Sequence, residues 1–218
     1  VAKIIARRFR YELELLERGF TRIAGVDEAG RGPLAGPVFA AAVIFPVAWL
    51  RHGLPAPLRK VNDSKLLPPG TRETLFAELT SQPEIHYAVG SVEAPMIDEI
   101  NILQATHRAM NLALAQLRQP PEHALVDGLP VKSMACPHTA IVSGDQLSYS
   151  IAAASILAKV SRDRCMLELD RLYPGYGFAE HKGYGTVRHL AALKTLGACP
   201  IHRRSFSPVR PAEQELFD

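Results

Sequence analysis

Residues 38–45, VFAAAVIF, are eight apolar residues in a row, fenced by Pro37 and Pro46. The run has strand length and no polar alternation, so it reads as a largely buried strand. Such a strand needs cover on both faces of its sheet. The rest of the chain supplies it by alternating strand-like with helical stretches, the pattern of an α/β sandwich. Further strands are expected at RIAGV (22–26), IHYAVGSV (85–92), HALVDG (123–128) and TAIVSGD (139–145). Helices are expected over 2–19, 71–80, 94–118, 149–171 and 186–196, with a loop rich in Pro, Arg and Lys from 46 to 70. In the 94–118 stretch Ile97, Ile100, Leu103, Ala105, Met110 and Leu114 form a broad apolar face. Tight turns between the early strands point to a mixed sheet rather than a purely parallel one. One domain is expected over residues 1–218, with about 165–218 as its helical C-terminal extension.

Composition excludes some classes. Mean hydropathy is +0.01, and no apolar run reaches the ~18 residues of a bilayer span. The first twenty residues carry charges throughout and hold no signal-peptide core, so a cytoplasmic setting without membrane contact is expected. Cys136, Cys165 and Cys199 are odd in number and form no CxxC, which fits reduced, idle thiols better than zinc. The net charge is only +3, yet from Lys159 to Arg210 ten Lys/Arg face four Asp/Glu. That asymmetry suits a polyanionic partner, or else a solvated helical surface.

Three strand-like runs end in acids beside glycines: GVDE, LVDG and VSGD, giving Asp27, Glu28, Asp127 and Asp145. Ligands and catalytic groups gather where the strands of α/β sheets stop. Singly, each acid is an ordinary turn or cap residue. Together they would repel, at about 4 kcal/mol for one pair at ~4 Å and an effective dielectric of 20. Protons, cationic side chains or an oxygen-loving Mg²⁺ or Mn²⁺ must therefore neutralise them. Neighbouring strand residues point to opposite faces, so Asp27 and Glu28 are expected to share a site only if the strand breaks at the following AGRG. That turn, with Gly25, Gly30, Gly32 and Gly36 around Arg31, lets another backbone approach closely. No GK[ST] follows it, so a phosphate loop is excluded.

With these residues laid out, the sequence resembles bacterial ribonuclease HII, the type 2 ribonuclease H family. The resemblance rests on GVDEAGRGPLAGPV, NDSK (62–65), IDEINIL (97–103), LVDG, GD (144–145), AASILAKVSRD (153–163), YGFAEHKGY (176–184) and HRRSFSPV (202–209), in the family's order. It implies a ribonuclease H-like fold, a mixed central β-sheet flanked by helices with a helical C-terminal portion. It implies that Asp27, Glu28, Asp127 and Asp145 are both the catalytic and the metal-binding acids, holding Mn²⁺ or Mg²⁺ for two-metal hydrolysis that leaves a 3′-hydroxyl and a 5′-phosphate. The implied substrates are RNA–DNA hybrids and DNA duplexes with embedded ribonucleotides, nicked on the 5′ side.

The resemblance also places substrate-binding residues. Gly30, Arg31 and Gly32 would read the ribonucleotide's 2′-hydroxyl, the group that separates RNA from DNA. Tyr184 would stack on the next deoxyribose, although Gly185 stands where many members have proline. Lys65 and Lys159 map near phosphates, and Ser155, Lys159 and Arg162 share a helix face that is expected to point outward, opposite an apolar face of Ala153, Ile156, Leu157, Val160 and Leu167. Ser143 replaces a lysine common before the GD pair. Arg203 and Arg204 read as phosphate contacts or structural ion pairs. Rival readings are ribonuclease HIII, against which stand the 26 residues before Asp27 and the intact GRG, and a catalytically silent nucleic-acid-binding module, against which stand the four retained acids. The chain is expected to be a monomer. The tail PAEQELFD reads as a frayed terminus, with a sliding-clamp peptide as the alternative.

Overall fold

The computed structural model describes residues 8–209. In it the buried run becomes strand β2 (Val38–Ile44), with β1 (Ile23–Ala29) and β3 (His86–Val92) antiparallel on either side. Strand β4 (His123–Asp127) lies parallel to β1, and β5 (His138–Ile141) parallel to β4, giving the mixed order β3-β2-β1-β4-β5.

The alternation that the sequence hides is visible in the packing. Ile23, Ala41, Val43 and Leu125 belong to one core, while Ala24, Val26, Ala40, Ala42, Ile44 and Val126 belong to the other. Both faces are covered, so neither set of positions had to be polar. The helices are α1 (Arg10–Glu17), α2 (Val47–His52), α3 (Pro69–Ser81), α4 (Ala94–Ala115), α5 (Gly144–Leu147), α6 (Tyr149–Leu172), α7 (Phe178–His181) and α8 (Val187–Leu196). Helix α6 covers the first face and α4 the second. The seat of α6 depends on Gly25, where a Cβ would overlap the backbone of Ser150. Ser148 caps α6 by accepting from the Ile151 N–H at 3.1 Å, and the same hydroxyl donates to the buried Glu12 of α1 at 2.6 Å.

Several expectations need correction. The loop after β2 contains α2 and a 3₁₀ turn, Ala56–Lys60, and the glycine-rich loop near 180 contains α7. Helix α4 is not continuous: Asn101 adopts φ 66° and its side chain accepts from the Gln104 N–H at 3.1 Å, restarting the helix. The restart shifts the helical phase, which puts Leu103 of the expected apolar face into solvent at 47% exposure. Strand β5 stops at Ile141, so Asp145 sits in α5 rather than at a strand end. The start of the expected 2–19 helix and the tail PAEQELFD lie outside the described residues. After α6 the chain folds back and makes a third small core from Met166, Tyr176, Phe178, Cys199 and Ile201 around Ala35. The C-terminal portion thereby grips the loop that carries the glycine turn.

Candidate active site

The acids gather at the C-terminal ends of β1 and β4. Along both strands, odd-numbered positions face α6, as Ile23, Gly25 and Leu125 do. Asp27 and Asp127 continue those rows, two residues beyond the paired Gly25 and Leu125. Asp145 approaches from α5, and the Gly144 N–H donates to Asp127 Oδ1 at 2.7 Å. Glu28 leaves β1 on the other side. The strand breaks at Gly30, within AGRG as expected, after pairing with β2 through Asp27, Glu28 and Ala29. Its pairing with β4 ends sooner, after Val26 and Val126. The freed edge lets carboxylates from both faces reach one place.

Their mutual fields mark the convergence. Burial, and then Glu28 and Asp127, push the Asp27 carboxyl well above the ordinary range. Burial also raises Glu28, against the pull of Arg31, whose Nη1 lies 3.3 Å from Glu28 Oε1. Asp145 is pushed up to about 6 by burial, then by Asp127 and Asp63. Burial pulls the Lys65 ammonium down, but the charges of Asp27, Asp145, Asp63 and Asp127 outweigh it and its pKa rises. Lys65 is thus the cation that feels all four of these acids. Asp63, buried, accepts from the Lys65 N–H at 2.8 Å and from the Gln146 amide at 3.3 Å. The sequence reading passed over it although it lies within NDSK.

A cleft of about 330 Å³ brings together Asp27, Glu28, Gly30, Arg31, Gly32, Lys65, Lys159 and Tyr184. The Tyr184 ring stands 3.8 Å from the position a Gly32 Cβ would take, so turn and tyrosine form facing walls. A neighbouring cavity of about 520 Å³ shares Glu28 and Arg31 and adds Asp127, His107 and Lys132. Lys159 is held by Asp163 at 2.7 Å. Its expected face-mates do not point outward, because Ser155 and Arg162 are buried. Ser155 bonds Ser64 at 2.7 Å, and Arg162 donates to the carbonyls of Ala35, Pro37 and Lys182. On the opposite face Leu167 is exposed instead of packed. Arg203 makes neither of the expected contacts. It is fully buried and donates to the carbonyls of Gly30 at 2.6 Å, Arg31 at 2.8 Å and Gly36 at 2.8 Å. A planar fork matches several carbonyls at once, which a sequence pattern does not reveal.

Among the described residues no three Asp, Glu, His or Cys side chains already close as ligands around one ion. The fit to a divalent cation rests on chemistry: an all-oxygen donor set in which the Asp127 charge raises the Asp27, Glu28 and Asp145 carboxyls suits Mg²⁺ or Mn²⁺. No helix among the described residues is long and apolar enough to cross a membrane.

Comparisons with known proteins give the family and the fold. The family model of ribonuclease HII matches residues 24–209. A ribonuclease HII from Desulfitobacterium hafniense (strain Y51) is 53% identical over 209 residues, covering 96% of this chain and 77% of that protein. The crystal structure of ribonuclease H2 from Pyrococcus horikoshii OT3 superposes with a TM-score of 0.70 at 30% identity, covering 86% of this chain and 95% of that one. The ribonuclease HII solved in complex with PCNA from Archaeoglobus fulgidus gives 0.67 at 28% identity, covering 84% and 93%.

Proposed function

The chain belongs to the ribonuclease HII family and is a metal-dependent type 2 ribonuclease H acting on RNA–DNA hybrids, and we propose that its cleft also nicks duplex DNA on the 5′ side of a single ribonucleotide. The observation that carries this reading is the shared cleft: Asp27 and Glu28 line it together with Gly30, Arg31, Gly32 and Tyr184. A reader of the 2′-hydroxyl beside the carboxylates places hydrolysis next to that sugar. Asp27, Glu28, Asp127 and Asp145 would hold Mg²⁺ or Mn²⁺. When bound, such ions activate water and offset charge on the attacking and leaving oxygens.

The other roles belong to the chain's own groups. The peptide groups of Gly30–Gly32 meet the ribose, with the Gly30 and Arg31 carbonyls anchored from behind by Arg203. The Tyr184 ring packs on the following deoxyribose. Lys65 and Lys159 offset backbone phosphates at the cleft rim. The chain reads as one catalytic domain over 1–218 with about 165–218 as its extension, a reading supported among the described residues by the shared core around Ala35. Three free thiols support a cytoplasmic setting, and a sliding-clamp contact rests on the likeness to the Archaeoglobus protein.

The deciding experiment is a nicking assay on a DNA duplex with one embedded ribonucleotide, run with Mg²⁺, Mn²⁺ or EDTA. One cut 5′ to the ribonucleotide, lost in EDTA and absent from an all-DNA duplex, is expected. Cleavage indifferent to the 2′-hydroxyl would remove the assigned role of Gly30–Gly32.

Removing metal should expose the repulsion among the acids as a pH effect. A carboxyl whose pKa is raised in the fold favours the protonated form. Its stabilisation is present below the unfolded pKa and is lost as pH rises through the folded value, about 6 for Asp145. The metal-free protein should therefore melt higher at pH 5 than at pH 8, with divalent cation restoring stability at pH 8 and doing little at pH 5. Calorimetry with and without EDTA checks this, and equal melting at both pH values would refute it.

A further inference from the structure

Helix α8 has one buried side chain, and it is polar: His189. Its Nε2 lies 3.1 Å from Nε2 of the buried His202, and His181 stacks on its ring at 4.5 Å between centroids. The proton positions follow from the two outer bonds. A carbonyl only accepts, so His189 Nδ1, 2.9 Å from the Tyr184 oxygen, carries a hydrogen. A backbone N–H only donates, so His202 Nδ1, 3.0 Å from the Cys199 nitrogen, is bare. In neutral rings this leaves His189 Nε2 bare and His202 Nε2 protonated, so the middle bond is dictated by the outer two. The relay has one direction, from Cys199 through His202 and His189 to the Tyr184 carbonyl.

An extra proton on either ring would set donor against donor. Burial lowers both, with His202 pushed down to about 4 by burial and by His189. The pair is therefore a fixed neutral bracket at ordinary pH, and hydrolysis has no use for its protons. What it does is visible at its end. The peptide groups around Tyr184 are held from several sides: the Gly183 N–H donates to His181 Nδ1 at 3.2 Å, and the Thr186 N–H donates to the Tyr184 carbonyl at 2.8 Å. From this frame the Tyr184 ring, 46% exposed, reaches toward Gly32.

We propose that the His189–His202 pair is a positioning device for Tyr184, fixing the peptide from which that ring enters the cleft and so setting how it packs on the bound sugar. The pair's effect on cleavage rests on the reading of Tyr184 given above. Its hold on the loop does not.

The test measures nicking of the single-ribonucleotide duplex and amide hydrogen exchange over residues 183–186 in the same variants. His189→Ala removes one hydrogen bond to the loop and should lower kcat/KM about tenfold and speed exchange about tenfold. His189→Asn places an amide N–H where Nδ1–H stood and should bring both back to within about threefold of the parent, which a mere loss of packing would not allow. In a Tyr184→Ala background, His189→Ala should add less than about twofold, because residues acting as one unit are not additive. Parent-like exchange in His189→Ala, or losses that multiply in the double variant, would overturn the proposal. If His189→Ala fails to fold, His202→Gln, whose amide can donate to His189 Nε2, carries the same comparison against His202→Ala. A Tyr184→Ala protein that nicks at the parent rate would sink the sugar-packing role of the tyrosine, while the exchange data still decide whether the pair holds the loop.

Discussion

Replacing Asp127 with Asn should nearly abolish nicking, by about 10³-fold or more if several kcal/mol of transition-state charge stabilisation depend on it. The change is close to isosteric. The asparagine oxygen can still accept the Gly144 N–H that Asp127 Oδ1 takes at 2.7 Å, so the start of α5 keeps its anchor. What disappears is one negative charge from a cluster already repelling itself through Asp27, Glu28 and Asp145. Fold and substrate affinity should therefore survive, and duplex binding in EDTA should tighten, since one uncompensated carboxylate no longer faces the phosphates. Single-turnover nicking and equilibrium binding, measured together on the variant, check this. If cleavage and binding fall by the same factor, Asp127 is a structural acid.

The sequence disclosed the acids and the glycine turn because both are written as contiguous residues next to strand-like runs. It disclosed the sheet for a similar reason, since VFAAAVIF admits few alternatives to a buried strand. It hid what depends on distant pairings. Arg203 carries no local signal that its fork will meet carbonyls about 170 positions away, at Gly30 and Arg31. Ser155, Lys159 and Arg162 do share a helix face, as their spacing requires, but spacing cannot say that the face lies beneath the turn instead of in solvent. The Asn101 restart escaped because the apolar spacing Ile97, Ile100, Leu103 runs on across it, and only its positive φ shows that it caps. Likewise the freed edge between β1 and β4 follows from strand lengths, not from residue types, and it is this edge, just ahead of the strand's end at Ala29, that lets Asp27 and Glu28 meet.

Gly30→Ala should be the most damaging change of a single small residue in the turn. Gly30 sits at φ 94°, and a Cβ there would overlap the Arg162 side chain. The left-handed conformation alone costs about 1–2 kcal/mol for alanine. Arg162 cannot yield cheaply, because it is buried and donates to the carbonyls of Ala35, Pro37 and Lys182, and freeing those buried acceptors costs about 1–3 kcal/mol more. The melting temperature should drop by roughly 5–15 °C on the usual scaling for a chain of this size. Gly19→Ala is the control: its φ is 93°, but nothing lies within 4 Å of the added methyl, so it should show the conformational cost alone. The two variants must part further in activity. At 20 °C, where both remain folded, Gly19→Ala should nick at the parent rate. Gly30→Ala shifts the peptide groups facing the ribose and should lose about 10²-fold, the scale of an ångström's misplacement. Equal melting losses with equal activity would mean that Arg162 moves aside freely and that the turn is not held by the buried guanidinium behind it.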